Sequence, residues 1–228
     1  MKSIAHGLLL TIGLCTPLWL VRGWMQEAHA SLATTRPQAA VATAAADEAG
    51  YCTASLKQIV RKVAGACGLI QQEGRGCQPA DAAKVVSLSG EDFNALFAPL
   101  EQRVHIIEYD ANSVDVDEDA KAAISKAWAD RRGASFFFVV ARASPDGKPE
   151  VNQELSAGRA KAVLDHLKGQ FADPDIEKQV GLLWLGEEFA QLPESFCSWQ
   201  RSRQGKEGVC DAKTINRSAF IAWIDCQI

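Results

Sequence analysis

The stretch Phe136–Leu167, FFFVVARASPDGKPEVNQELSAGRAKAVLDHL, constrains the fold more than any other part of the chain. It opens with Phe136 to Ala141, apolar throughout and rich in aromatic and β-branched side chains. A run that short and that uniformly apolar predicts a strand covered on both faces, not an alternating surface strand. Pro145-Asp146-Gly147 then predicts a turn, because proline presets φ and Asp-Gly tolerates the reversal. Beyond it Leu155, Ala160, Val163, Leu164 and Leu167 recur at helical spacing, with Asn152 as the expected cap and an end near Gly169. Such a strand leaves hydrogen-bonding groups along both edges, so the flanking sequence must supply more strands.

It does. Val104 to Tyr109 reads as a strand, and Asp117 to Arg131 as a helix that buries Ala123, Ile124, Ala127 and Trp128. Gln179 to Leu185 is a second buried strand, and Ser218 to Cys226 alternates apolar residues and closes the sheet. The order strand-helix-strand-helix-strand-loop-strand predicts an α/β (α+β) sandwich, a mixed sheet with helices on one face. Upstream, Tyr51 to Ala66 carries Leu56, Ile59, Val60 and Val63 at helical spacing. A loop follows with Cys67, and Cys77 lies just beyond it. A further helix is expected from Ser89, with Glu91 and Asp92 near its positive end and Phe93, Leu96, Phe97 and Leu100 on one face. Residues 51–100 thus read as a small helical subdomain, either a stapled spacer or a module that docks a partner. Residues 31–50, rich in Ala, Thr and Pro without an apolar period, read as a linker, and 102–228 as the main domain.

At the N-terminus Lys2 precedes an uncharged, mostly apolar run from Ile4 to Val21, and Ala28-His29-Ala30 offers a small-x-small cleavage site. Residues 1–30 are an export signal or an inner-membrane anchor: cleavage leaves a soluble periplasmic protein, retention leaves a tethered one. Leu14 before Cys15 does not suit lipidation. Apart from Cys15, six cysteines remain, Cys52, Cys67, Cys77, Cys197, Cys210 and Cys226, an even number suited to bridges in an oxidising compartment. The absence of C-x2-C argues against a zinc site. A net charge of −4 leaves no basic footprint for nucleic acid, which is excluded as a partner.

Gly147, Asn152, Leu155, Ser156, Arg159 and Ala160 together spell G-x4-N-x2-L-S-x2-R-A. This resembles the signature of the outer-membrane-protein-A-like (OmpA-like) domain family. Val104 to Val114 resembles the family's opening strand and turn, and Gly186-Glu187 with Asn216-Arg217 resembles its closing motifs; the resemblance covers about residues 102–226. It implies a periplasmic cell-envelope protein that anchors an assembly to peptidoglycan non-covalently, with other envelope proteins as partners, the inner membrane if the signal is uncleaved, no cofactor and no enzymatic activity. It also implies a bridge between Cys197 and Cys210 across a polar loop. The pairing of Cys52, Cys67, Cys77 and Cys226 stays open.

The family's ligand is the free end of diaminopimelate, an ammonium beside a carboxylate, held by an Asp three residues before the turn glycine and by the Arg of L-S-x2-R. The Arg is Arg159; the Asp position holds Ser144. The expected site is therefore Ser144, Asp146, Asn152, Leu155, Arg159 and Arg217, with Asp146 as a substitute anion and Arg142 as an added positive charge where the ammonium should dock. A second reading keeps the fold but treats this site as degenerate, in a scaffold subunit of a secretion or conjugation-type envelope machine. Three other features carry less. Asp115-x-Asp117-x-Asp119 has calcium-ligand spacing but lacks the required Gly and Glu, so no metal is expected and the acids favour the helix start. Arg201, Arg203 and Lys206 read as a solvated basic face. His105 and His166 stand without a nucleophile or orienting acid, so no catalytic residue is expected.

Overall fold

The computed structural model describes residues 51–66, 79–81, 88–131, 134, 136–205 and 210–226. All of them belong to one compact unit, Glu48–Ile228. The export segment, the linker, Cys15, Cys67, Cys77 and Lys206 lie outside the described residues. Among those described, no helix is long and apolar enough to cross a membrane.

In chain order the elements are α1 (Ala54–Ala66), β1 (Ala80–Asp81), α2 (Gly90–Ala95), a 3-10 helix at Ala98–Arg103, β2 (Val104–Glu108) and α3 (Glu118–Ala129). Then come β3 (Phe136–Ala141), α4 (Pro149–Gln170), the short α5 (Ile176–Gln179), β4 (Val180–Trp184), a 3-10 turn at Glu194–Ser198 and β5 (Ser218–Ile224). The sheet order is β1-β4-β3-β5-β2. Strands β1, β4 and β3 run parallel, while β5 is antiparallel to both β3 and β2. The expected order is present, with α5 and the two-residue β1 added. Strand β5 sits inside the sheet and buries six of its seven residues, so its expected alternation is replaced by coverage on both faces.

Every residue of β3 is buried, as its apolar run requires. Alternation sends its side chains to opposite faces. Phe137 meets Trp128 of α3, with ring centroids 5.3 Å apart, while Phe138 stacks on Phe97 at 5.8 Å. The long helices α3 and α4 therefore cover one face, and the segment before β2 covers the other. This alters the domain division. The described helices of residues 51–100 are not a separate subdomain: Leu56, Val60, Val63, Phe93, Phe97 and Leu100 lie in the same core as the sheet. The physical reason is that β3 and β5 are apolar on both faces, and without this segment one face would be bare. A disulfide fixes the arrangement by joining Cys52, ahead of α1, to Cys226, after β5.

Helix ends follow local chemistry. Asp117 caps α3 by accepting from Ala120 N–H at 2.8 Å, and Ser89 caps α2 through Asp92 N–H at 3.1 Å. Pro99 then turns the chain into the 3-10 helix. Helix α4 starts earlier than expected, because Pro149 occupies its first turn and Lys148 is its N-cap. Asn152 is thus inside the helix and is not its cap.

The exposed edge of β2 is covered by the loop that the Cys197–Cys210 bridge closes. Ile106 N–H donates to Gln200 O at 2.8 Å, and Ser202 N–H to Ile106 O at 2.9 Å. Arg201 and Arg203 of that loop are not a solvated face. Arg201 pairs with the buried Glu108 at 2.8 Å, and Arg203 donates to Asp110 and to Asp117, each at 2.8 Å. They hold the loop to the sheet edge and so protect it from pairing with another chain.

Candidate functional site

Beyond the C-terminal ends of β2 and β3 the backbone opens into a cleft of about 230 Å³. Its walls are Ala111 and Asn112 after β2, Ala143, Ser144 and Asp146 after β3, Asn152, Leu155 and Arg159 on α4, and Lys213 and Arg217 ahead of β5. The six residues expected at the ligand site all line it. Asn112, Lys213 and the flanking alanines are additional.

Arg159 forms the floor. It is 1% exposed, and its guanidinium donates from Nε to Ser113 O at 3.0 Å, from Nη1 to Arg142 O at 2.8 Å and from Nη2 to Asp110 O at 3.3 Å. All three acceptors are neutral carbonyls. Among the described residues no carboxylate pairs with it, so it is not held by an ordinary structural ion pair. Burial lowers its pKa to about 10, opposed by Tyr109, whose ring lies 5.2 Å below the guanidinium carbon. It therefore stays charged at neutral pH. Gly158 is needed next to it: a Cβ there would meet Val114 Cγ1 at 2.9 Å and push away the loop that carries the Ser113 carbonyl.

The turn after β3 supplies the anion. Gly147 has φ of 101°, which only glycine adopts readily, and the turn brings Asp146 to the cleft mouth. Asp146 accepts from Lys213 Nζ at 2.9 Å, from Ser144 Oγ at 3.0 Å and from Arg217 Nη2 at 3.2 Å. The Lys213 ammonium, with Ser144 and Arg217 behind it, holds this carboxyl below the usual carboxylate range. Ser144 bridges the pair, because it also accepts from Arg217 Nε at 3.1 Å. Asn152, 2% exposed, donates to Asp146 O at 2.9 Å and to the Glu187 carboxylate, and so fixes the turn to α4.

Arg142 is not at the site. Residues 138, 140 and 142 share one face of the strand, so its side chain points toward α2, away from the cleft. There Nε donates to Ala190 O at 2.7 Å and Nη2 to Asn94 Oδ1 at 2.9 Å, while Nη1 has no partner. Burial lowers its pKa to about 9. The signal that would have placed it was the two-residue period of β3.

The mixed sheet, the two long helices on one face and the signature residues around one cleft together define the architecture. This is the arrangement that the resemblance to OmpA-like domains implies. The chain matches no protein-family model, and no curated protein matches it. Solved structures similar to it include two of known family. The OmpA-like domain of FopA1 from Francisella tularensis is 17% identical, with a TM-score of 0.35 over 51% of this chain and 68% of that one. The peptidoglycan-associated lipoprotein from Burkholderia pseudomallei is 20% identical, with a TM-score of 0.38 over 55% of this chain and 92% of that one.

Proposed function

We propose that the OmpA-like domain anchors a periplasmic envelope assembly to peptidoglycan by holding a stem peptide non-covalently in the Arg159 cleft. The observation that carries this is Arg159 itself: a buried guanidinium bonded only to neutral carbonyls, lining an open cleft, retains its charge for an incoming carboxylate. Asn152 and Leu155 shape the wall, and Asp146 with Ser144 and Arg217 forms the mouth. In this reading other envelope proteins are the remaining partners, and the inner membrane joins them if residues 1–30 stay attached. The work is binding, with no chemistry on the ligand.

A second reading is supported by the mouth of the cleft. Ser144 and Asp146 are engaged with Lys213 and Arg217, as expected of a scaffold subunit whose wall site has been given over to internal bonds. Sedimentation with purified peptidoglycan separates the two. Under the first, the oxidised protein co-sediments and Arg159→Ala falls at least about tenfold in affinity, the worth of one charge-assisted pair. Wild-type protein left wholly in the supernatant would remove the first reading.

A further inference from the structure

The cleft carries an imbalance of charge. Arg159, Lys213 and Arg217 line it against the single carboxylate of Asp146. From this we propose that the site is a receptor for a peptide carboxylate alone, with no seat for the ammonium that would accompany it in a zwitterion. The inference rests on the stem-peptide reading for the source of that carboxylate.

An ammonium needs an anion with lone pairs to spare. Asp146 has little to spare, since Oδ1 faces Lys213 Nζ and Oδ2 takes both Ser144 Oγ and Arg217 Nη2, which leaves one of about four acceptor sites, on the oxygen that already meets the Lys213 ammonium. A third cation there would have to displace Lys213 or sit against it. Of the other acids nearby, Asp110 accepts from Arg203 Nη1 at 2.8 Å, and Glu187, which accepts from the neutral Asn152 amide, is not among the residues that line the cleft. Ser144, standing where the signature expects the acid, donates to Asp146 and accepts from Arg217. It has become a link between two site residues.

The cations are in the opposite condition. Arg159 gives one N–H each from Nε, Nη1 and Nη2 to carbonyls, which leaves a second N–H on both Nη atoms and cancels none of its charge. Arg217 bonds through Nε and Nη2 and keeps Nη1 unspent among the hydrogen bonds described. A carboxylate entering the cleft meets two guanidinium groups. An ammonium meets two guanidinium groups and a lysine.

Calorimetry with three stem tripeptides on the full-length, oxidised protein tests this. One carries diaminopimelate, one carries the same residue without its side-chain amino group, and one carries the side-chain carboxylate as an amide. The first two are expected to bind within about threefold of each other and the amide at least about tenfold more weakly. A tenfold loss on removing the amino group would overturn the proposal, because Asp146 would then be receiving the ammonium. Lys213→Ala, a change at a half-exposed side chain, should free Oδ1 and create a preference of about tenfold for the ammonium-bearing peptide. Equal affinities in that variant would also overturn it. Propionate, followed by the Arg159 and Arg217 Nε–H resonances, separates this idea from the wall reading. Shifts with propionate and no tripeptide binding would leave the carboxylate receptor standing and remove the stem peptide as its ligand; no response to either removes both.

Discussion

Arg142 and Arg159 are 17 residues apart, each is 1% exposed, and neither meets a carboxylate among the described residues. By composition and burial they are the same residue, yet they do opposite things. Arg142 points toward α2 and holds Ala190, an alanine with φ of 51°, through its carbonyl, while Asn94 Nδ2 donates to that same oxygen at 3.2 Å. Arg159 points to the cleft and holds Ser113, Asp110 and the Arg142 carbonyl, so the backbone of one arginine is an anchor for the other. A buried charge without a counter-ion is costly, and surrounding carbonyls offset the cost only partly. At Arg142 that cost maintains a loop; at Arg159 it maintains a positive floor beneath a ligand volume. What distinguishes them is which face of the sheet each reaches.

That contrast is breakable, and stability is where the largest effect should lie. Arg142→Ala removes two hydrogen bonds, leaves Asn94 Oδ1 buried and unpaired, and opens a void, and should cost about 3 kcal/mol in urea unfolding. Ligand affinity measured below the melting transition should be unchanged. If it falls tenfold while the protein is folded, Arg142 belongs to the site and the division fails.

Arg159→Lys should give the reverse pattern. The ammonium keeps the charge but cannot reach three carbonyls and a ligand together, so carboxylate affinity should drop about tenfold, or about 1.4 kcal/mol. Smaller still is Ala190→Gly. Relief of the left-handed backbone competes with the greater freedom of glycine in the unfolded chain, and the net change should stay within about 1 kcal/mol in the stabilising direction. A loss larger than that would mean that the Ala190 side chain, not its backbone, is what Arg142 and Asn94 organise.

The sequence carried four of the five strands, α3 and α4, because each depends on a period that survives in one dimension; the grouping of Ser144, Asp146, Asn152, Leu155, Arg159 and Arg217 was implied by the resemblance alone. Lys213 was invisible. It meets Asp146 across 213 − 146 = 67 positions, through a loop with no periodic pattern. Cys52–Cys226, 174 positions apart, was equally hidden, since spacing says nothing about which of several pairings folds. Asn152 was misread for a different reason: its residue type favours caps, but Pro149 had already begun the helix, which left the amide free to reach back to Asp146 O. Helices α1 and α2 were legible as helices and not as the cover of a second sheet face, although β3 is apolar at every position and needed such a cover.

The two arginines also predict where pH should not matter. With pKa values lowered only to about 9 and about 10, both remain charged from pH 5 to 8. Asp146 and Asp211, both held below the ordinary 3.8, lose their contribution only in stronger acid. Among the described residues, the groups shifted in the range just below neutrality are His105 and His166. Burial lowers the His105 pKa from its ordinary 6.5, Lys126 lowers it further and Asp130 opposes; burial likewise lowers His166, which sits 3.1 Å from Ser125 Oγ. A lowered folded pKa means that the unfolded chain binds more protons in this window, so stability is complete above about pH 6.5, declines as pH falls from there and levels off below the folded value. His105→Gln should flatten part of that decline in thermal melts between pH 7 and 5, and His105→Gln with His166→Gln should flatten most of it. A slope that persists in the double variant would mean that a third group titrates there.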